Sequence, residues 1–244
     1  YGAKDPRSMT LRFHTQTAGC SLTAQQPEIN IVRVAIQAMA GVLGGTQSLH
    51  TDSMDEALAF PSEKAVQIAL RTQQIIAHES GVANVADPLG GSYYLEWLTD
   101  DMERQSRDYF DRIESLGGVV SAIEKGFFQK EIAAAAYKYQ QEIDNNERTV
   151  VGVNEFTSNE PVEIPILEMD PEGFERQCRR LKNLRSSRNK ARHEASLTAI
   201  EKAAEGDENL MPHFIEAAKA KATLGEMCDV LRGVFGEYRE GSDF

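Results

Sequence analysis

Apolar and polar positions alternate in the first third of the chain and then take on helical spacing. Leu11–Thr17 has strand-like residues. Pro27 suits a helix first turn, and Glu28–Leu43 follows it. That helix is apolar nearly all round (Ile29, Ile31, Val32, Val34, Ile36, Met39), which predicts burial on several sides. Gly44-Gly45 ends it, and Thr46–Thr51 is a second short strand. Pro61-Ser62 opens a helix to about Ser80, stopped by Gly81. Strand–helix–strand–helix is the grammar of a parallel β/α fold. Two such units cannot close a barrel, and parallel strands need covered faces and neighbours. Further strands are therefore expected from a preceding segment, another chain or a second copy.

After Asp87-Pro88-Leu89-Gly90-Gly91 the character changes. Ser92 reads as a serine cap on one long amphipathic helix, Ser92–Leu116, with Tyr94, Leu98, Met102, Tyr109 and Ile113 as its predicted buried face. Val119–Lys125 and Lys130–Asp144 read as two more helices, and Thr149–Phe156 as a strand or extended segment. Thr157–Asp170, with Pro161 and Pro165, reads as a linker. Pro171–Ala204 reads as helical and basic, Pro212–Glu237 as the closing helices, and Gly241–Phe244 as a frayed tail.

Composition narrows the classes. The chain has 244 residues, 41% of them hydrophobic, enough for one large domain or two small ones. No apolar run approaches the ~18 residues of a membrane span, and no signal segment opens the chain. The start at Tyr1-Gly2-Ala3-Lys4-Asp5 lacks an initiator Met, which leads us to expect a piece of something longer. A net charge of −12 argues against nucleic acid. Cys20, Cys178 and Cys228 lie far apart with no CxxC, against a disulfide framework or a zinc site and in keeping with a reducing cytoplasm.

Two stretches stand out chemically. Arg12–Gln26 and Gly44–Leu58 are dense in Thr, Gln, Ser and His, with few charges until the acids that close the second. Uncharged hydrogen-bonding side chains at strand positions suggest the lining of a polar pocket. On a strand, His14 and Gln16 share one face while Thr15 and Thr17 share the other. Gln47, Leu49 and Thr51 share a face, opposite Thr46, Ser48 and His50. Gly19 permits close approach of a ligand, although a satisfied core His beside a turn Gly reads equally well. Asp52, Asp55 and Glu56 follow the second strand, where parallel β/α folds collect ligands. Glu56 could bind sugar hydroxyls there, or it is a first-turn acid favoured by the helix dipole. A metal held by His14 and His50 lacks a third ligand. A Cys–His hydrolase built on Cys20 has no supporting signature. The basic stretch Arg176–Arg192 could dock an acidic partner or a phosphate, or be a solvated face paired with Glu172, Glu175 and Glu194.

These residues carry a resemblance. RFHTQTAG at Arg12–Gly19, SLTAQQP at Ser21–Pro27, GGTQSLHT at Gly44–Thr51 and DEAL at Asp55–Leu58 resemble the large subunit of adenosylcobalamin-dependent acyl-CoA mutases, the methylmalonyl-CoA mutase family. ESG at Glu79–Gly81, ADPLGGSYYLE at Ala86–Glu96, AIEKG at Ala122–Gly126, VGVNEF at Val151–Phe156 and TLGEMCDVLRGVFGEY at Thr223–Tyr238 continue it in order.

The resemblance implies an α/β, predominantly helical chain. Residues 1–86 would hold the last strands of a (β/α)8 TIM barrel, and 87–244 a helical extension with a linker near 157–170. It implies an isomerase that binds acyl-CoA and adenosylcobalamin and rearranges a carbon skeleton by radical chemistry, in which the cofactor supplies the radical. His14, Gln16 and Gln47 would line the substrate pocket. Gly19, Cys20, Glu56, Ala57, Phe60 and Gln140 would face the cofactor, with no catalytic or metal-binding residue in this chain. Cys20 departs from a Trp common in methylmalonyl-specific members, and Ile29 from an Asn. The family's earlier strands, which hold most substrate contacts and separate its substrates, have no counterpart here, nor does its Asp-x-His-x-x-Gly cobalamin motif. The implied partners are the missing N-terminal barrel half, a cobalamin-binding domain or small subunit, and further copies in an oligomer. The alternative is a non-catalytic assembly module that contacts another subunit through the helical extension.

Overall fold

The computed structural model describes residues 2–239, so the tail expected at Gly241–Phe244 lies outside the described residues. The chain separates into two compact units, with the boundary between Glu168 and Met169, inside the stretch read as a linker.

The first unit begins with β1 (His14–Gln16), α1 (Asn30–Leu43), β2 (Ser48–His50) and α2 (Glu63–Glu79). β1 and β2 pair in parallel, with His14 opposite Ser48, Thr15 opposite Leu49 and Gln16 opposite His50. A parallel pair needs a crossover, and α1 is that crossover. Gly41 lets it lie close: a Cβ there would sit 3.3 Å from Thr15 Cγ2 and 3.7 Å from Leu49 Cδ1. Asn30 is fully buried and fully bonded. Its Nδ2 donates to Thr23 O and Met54 O at 2.9 Å each, while its Oδ1 accepts from Thr23 N and Arg33 Nη1. One amide thus joins the turn after β1, the start of α1 and the turn after β2. Ser62 caps α2, and that helix buries Ala65, Ala69, Thr72 and Ile76 at helical spacing.

The all-round burial expected of α1 needs correcting. Val34 and Ala38 are buried, but Val32 and Ile36 are more than half exposed. The helix packs on β2, α2 and the short turn Pro27–Ile29, which cover one side. The outer edges of β1 and β2 carry no strand among the described residues.

α3 (Tyr93–Ser115), α4 (Val119–Glu124) and α5 (Phe127–Asp144) follow. Ser92 occupies the cap position of α3, but its hydroxyl makes no capping bond, and Glu96 accepts the Gly91 N–H instead. The buried face predicted for α3 also fails: Tyr94 and Met102 are exposed, as is Tyr109, while Leu98 and Ile113 are half-buried. The reason is that α3 packs against the short α4, and its joint with α5 is polar. Arg112 bridges to Glu131 at 2.5 Å, Tyr109 OH donates to Glu131 at 2.7 Å, and the guanidinium lies under 5 Å from the Tyr109 and Phe127 rings.

The strand expected at Thr149–Phe156 is a turn. Gly152 (φ +82°) and Phe156 (φ +54°) take left-handed conformations. Asn154 donates to the Ile143 and Arg148 carbonyls and accepts from Val150 N, so its amide replaces a strand ladder. This turn clasps the start of α1. Arg33 Nη2 donates to Val151 O at 2.7 Å and Gln26 Nε2 to Phe156 O at 2.9 Å.

The second unit holds α6 (Gly173–Ser187), α7 (Lys190–Ala204), α8 (Leu210–Lys219) and α9 (Leu224–Phe235). The helical stretch predicted over 171–204 is two helices. Arg188 is extended (ψ 152°), and Asn189 caps α7 through Arg192 N. α7 packs against α8 and α9 through Ile200, Ala203, Ala217 and Ala220. Glu226 is the polar centre. It closes a capping box with Thr223 and accepts two bonds from Arg188, each 2.8 Å. His193 and Arg185 lie 3.3 and 3.5 Å away. Mainly the Arg188 hydrogen bonds hold the Glu226 carboxyl far below the usual carboxylate range.

Two outcomes follow. Open strand edges and exposed apolar helix faces should make the isolated chain self-associate; a strict monomer in light scattering at high concentration would count against this. Glu226→Gln should cost the second unit about 2 kcal/mol in denaturant unfolding, because it replaces charge-assisted bonds to a largely buried Arg188. Since the folded-state value is depressed, the stability from Glu226 is present above its unfolded pKa and lost as pH falls. The gap between the two proteins should therefore narrow in acid.

Candidate functional site

Parallel pairing brings the carboxyl ends of β1 and β2 together, and the chain beyond each strand meets there. By register, His14 and Gln16 share a face with Ser48 and His50, and this face is exposed, whereas Thr17 and Thr51 are buried. Crossing from strand to turn, Thr51 through Asp55 are all buried. Thr51 Oγ donates to Ala69 O and accepts from Gln73 Nε2, fixing α2 beneath the strand end.

Asp52 is the centre of the site, with no side-chain exposure. Its Oδ1 accepts from Gln16 Nε2 and its Oδ2 from Thr17 Oγ, both at 2.9 Å. Its own N–H donates to Thr17 Oγ at 3.0 Å, and His50 Nε2 lies 3.7 Å from Oδ1. A Cβ on Gly19 would stand 3.7 Å from both Asp52 Oδ2 and Glu56 Oε1, so the bare backbone of Gly19 borders both carboxyls. Burial, then the neighbouring Asp52 charge, raises the Glu56 carboxyl above its ordinary value, opposed first by the Ser53 backbone N–H and then by His50. A cavity of about 250 Å³ opens beside them, lined by His50, Thr51, Ser53, Glu56 and the first turns of α2. A larger one of about 420 Å³ lies between Gln25–Ile29 and residues 158–164, away from these groups.

The structure brings Gln16, Gly19 and Glu56 to the carboxyl end of the strand pair, while His14 opens β1 at the other end, on the same exposed face as Gln16. His14 Nδ1 is 2.5 Å from Ser48 Oγ, which leaves its other ring nitrogen for a ligand. Cys20 is exposed and reduced, and no hydrogen bond joins it to His14 or His50 among the described residues. Ala57, Leu58 and Phe60 form an exposed apolar rim after Glu56. Gln47 stands apart at the entry to β2, where its amide accepts from Phe13 N and donates to Gly45 O. Gln140 lies on α5 and donates to Asp144. No group of three metal-ligating side chains occurs among the described residues.

The residue pattern placed Asp52 at the ligand-collecting strand end without giving it a role, and Thr17 and Asn30 carried no signal as site residues. The basic stretch pairs with acids other than those expected: Arg176 with Asp170, Arg185 and Arg188 with Glu226, and Arg192 with Glu216.

The chain matches the family model described as methylmalonyl-CoA mutase over residues 1–237. It is 47% identical over 242 residues to the 2-hydroxyisobutanoyl-CoA mutase large subunit of Aquincola tertiaricarbonis, covering 98% of this chain and 43% of that protein. It is 44% identical to the mitochondrial methylmalonyl-CoA mutase of Homo sapiens, over 97% of this chain and 32% of that one. It is 42% identical to the methylmalonyl-CoA mutase of Escherichia coli, over 98% and 34%. The chain therefore spans less than half the length of these curated relatives.

Glu56→Gln should raise the melting temperature at pH 7 and leave it little changed at pH 4. A raised folded-state value means that the wild type loses stability as pH climbs from the unfolded to the folded pKa, and glutamine removes that loss. Thermal melts at the two pH values check this, and a lower melting temperature for the variant at pH 7 would refute it.

Proposed function

The chain belongs to the methylmalonyl-CoA mutase family, and from that premise we propose that it is the C-terminal part of an adenosylcobalamin-dependent acyl-CoA mutase large subunit. In this reading β1 and β2 are the last strands of an eight-stranded β/α barrel, and their carboxyl ends form the cofactor side of its cavity. The cluster of Gln16, Gly19, Asp52 and Glu56 at that end, with His14 at the start of β1 on the same exposed face, carries the reading. The open strand edges and the bare outer face of α1 support it, because a closed barrel would cover both.

The residues fit the cofactor. A large flat ring fringed with amides needs an apolar floor and neutral hydrogen-bonding edges. Gly19 offers bare backbone, Cys20, Ala57 and Phe60 a small and apolar border, and Gln16 and Glu56 polar groups beside them. When bound, adenosylcobalamin supplies a carbon-centred radical by cobalt–carbon homolysis. The task of this chain is orientation and exclusion of water. His14, held by Ser48, and Gln16, held by Asp52, align ligand groups without offering a strong acid or base. Neutral donors and acceptors suit a radical reaction, since they fix geometry without diverting it into proton transfer. Thr51, bonded to α2, keeps the strand end rigid beneath them. The apolar rim from Ala57 to Phe60 would shield the reacting carbons from solvent.

A second reading is favoured by one observation. Residues 176–192 hold eight Arg and Lys and no acid, in a chain of net charge −12. Arg179, Arg180 and Lys182 are exposed there. In this reading the helical extension is an assembly module that grips an acidic subunit surface or a cobalamin-binding domain.

The isolated chain should show no turnover of methylmalonyl-CoA with adenosylcobalamin; measurable turnover would sink the fragment reading. Absorbance titration with cobalamin, with and without the upstream barrel half, separates the two readings. A gain in affinity that requires the added half supports the enzyme part. Tight binding to a partner subunit without cobalamin supports the module.

A further inference from the structure

The hydrogen bonds around Asp52 determine which way round the Gln16 amide stands. A carboxylate accepts and cannot donate. The Asp52 N–H occupies a lone pair of Thr17 Oγ, so the hydroxyl proton goes to Asp52 Oδ2. The remaining oxygen, Oδ1, takes the Gln16 nitrogen at 2.9 Å. With the nitrogen turned inward, the carbonyl oxygen occupies the opposite corner of the planar amide, on the exposed face of β1. The reverse orientation would set a carbonyl oxygen against a buried carboxylate, a contact that repels and leaves Oδ1 unpaired.

We propose that Asp52 is a positioning residue that presents the carbonyl oxygen of Gln16 to the ligand, so that this point of the cavity takes a neutral O–H or N–H donor and rejects a carboxylate or phosphate. The donor has two available sources in the mutase reading, on which the ligand assignment rests: a hydroxyl of the adenosyl group or an amide N–H of the acyl-CoA chain. The fully buried charge of Asp52 behind Gln16 adds to the rejection of anions. The acidic end of an acyl-CoA or its substrate acid must therefore be held elsewhere. His50, at 3.7 Å from Oδ1, and Glu56 are the other titratable groups that face this carboxyl.

The first measurement needs no cofactor. In the ¹⁵N-labelled chain, one Gln16 side-chain N–H should resonate downfield and exchange slowly with solvent. Asp52→Asn, which preserves shape, should move it toward the free-amide position; Asp52→Ala should move it fully, and Thr17→Val should leave it in place. Free-amide behaviour in the unsubstituted chain overturns the proposal. The second measurement uses the complete mutase carrying Asp52→Asn. A roughly three- to tenfold loss of adenosylcobalamin affinity, with methylcobalamin binding unchanged, places the donor on the adenosyl group. The same loss confined to the KM for acyl-CoA places it on the substrate. Equal weakening of all three ligands, or no change in any, overturns the positioning role. A protected Gln16 amide in a complete protein that binds no cobalamin upholds the orientation and removes the mutase reading instead.

Discussion

Three residues of parallel ladder on each strand cannot hold two strands together, and the fold around the site depends on what reinforces them. Asp52 is that reinforcement. It takes one donor from the last residue of β1 and another from the residue beyond, while its backbone belongs to the segment leaving β2. Hydrogen bonds to a buried charge are worth roughly 1.5–3 kcal/mol each, more than a neutral ladder bond. The same carboxyl would be costly if either donor were removed, since little solvent reaches it. Asn30 does equivalent work between the turns beyond the two strands and the start of α1, with all of its hydrogen-bonding capacity engaged. Polar groups rather than apolar mass thus set the geometry at the strand ends, and the site is rigid without a large core beneath it.

Apolar burial is correspondingly thin. The fully buried side chains are mostly Ala, with Val34 and Ile200 among the larger ones, while Ile36, Trp97, Phe110 and Phe174 stand exposed. In the proposed barrel reading, such faces would lie against the rest of the protein. α1 shows this most clearly, because its composition suits a helix covered on several sides while its neighbours here cover one. The second unit is more self-sufficient, since α7 has partners along two faces and Glu226 joins the end of α6, α7 and the start of α9.

Much of this was legible in the residues. Period-two alternation gave the faces of both strands correctly, and the Pro, Gly and Ser signals marked helix ends to within a few residues. Among the features that were not legible, three have a clear physical reason. The α3 stripe predicts a buried face, but periodicity says that a face is apolar and not that a neighbour exists to cover it. The Thr149–Phe156 run has strand-forming residues, but a single asparagine amide that satisfies several backbone groups outweighs those propensities. The importance of Asp52 depends on donors 35 and 36 positions earlier in the chain, and local pattern carries no such information.

The clasp between the 149–156 turn and the start of α1 has a consequence for how the chain acquires its shape. Arg33 meets Val151 across 118 positions, and Gln26 meets Phe156 across 130. Closing so long a loop is entropically slow, whereas the helices between are built from local contacts and form early. During synthesis, β1 and the first turn of α1 leave the ribosome long before the residues that clasp them. In that interval Gln26 and Arg33 lack the carbonyls that they bond in the finished structure. The clasp is therefore a late step that locks an element made early, and until it closes the start of α1 is held only by contacts with residues nearer in the chain.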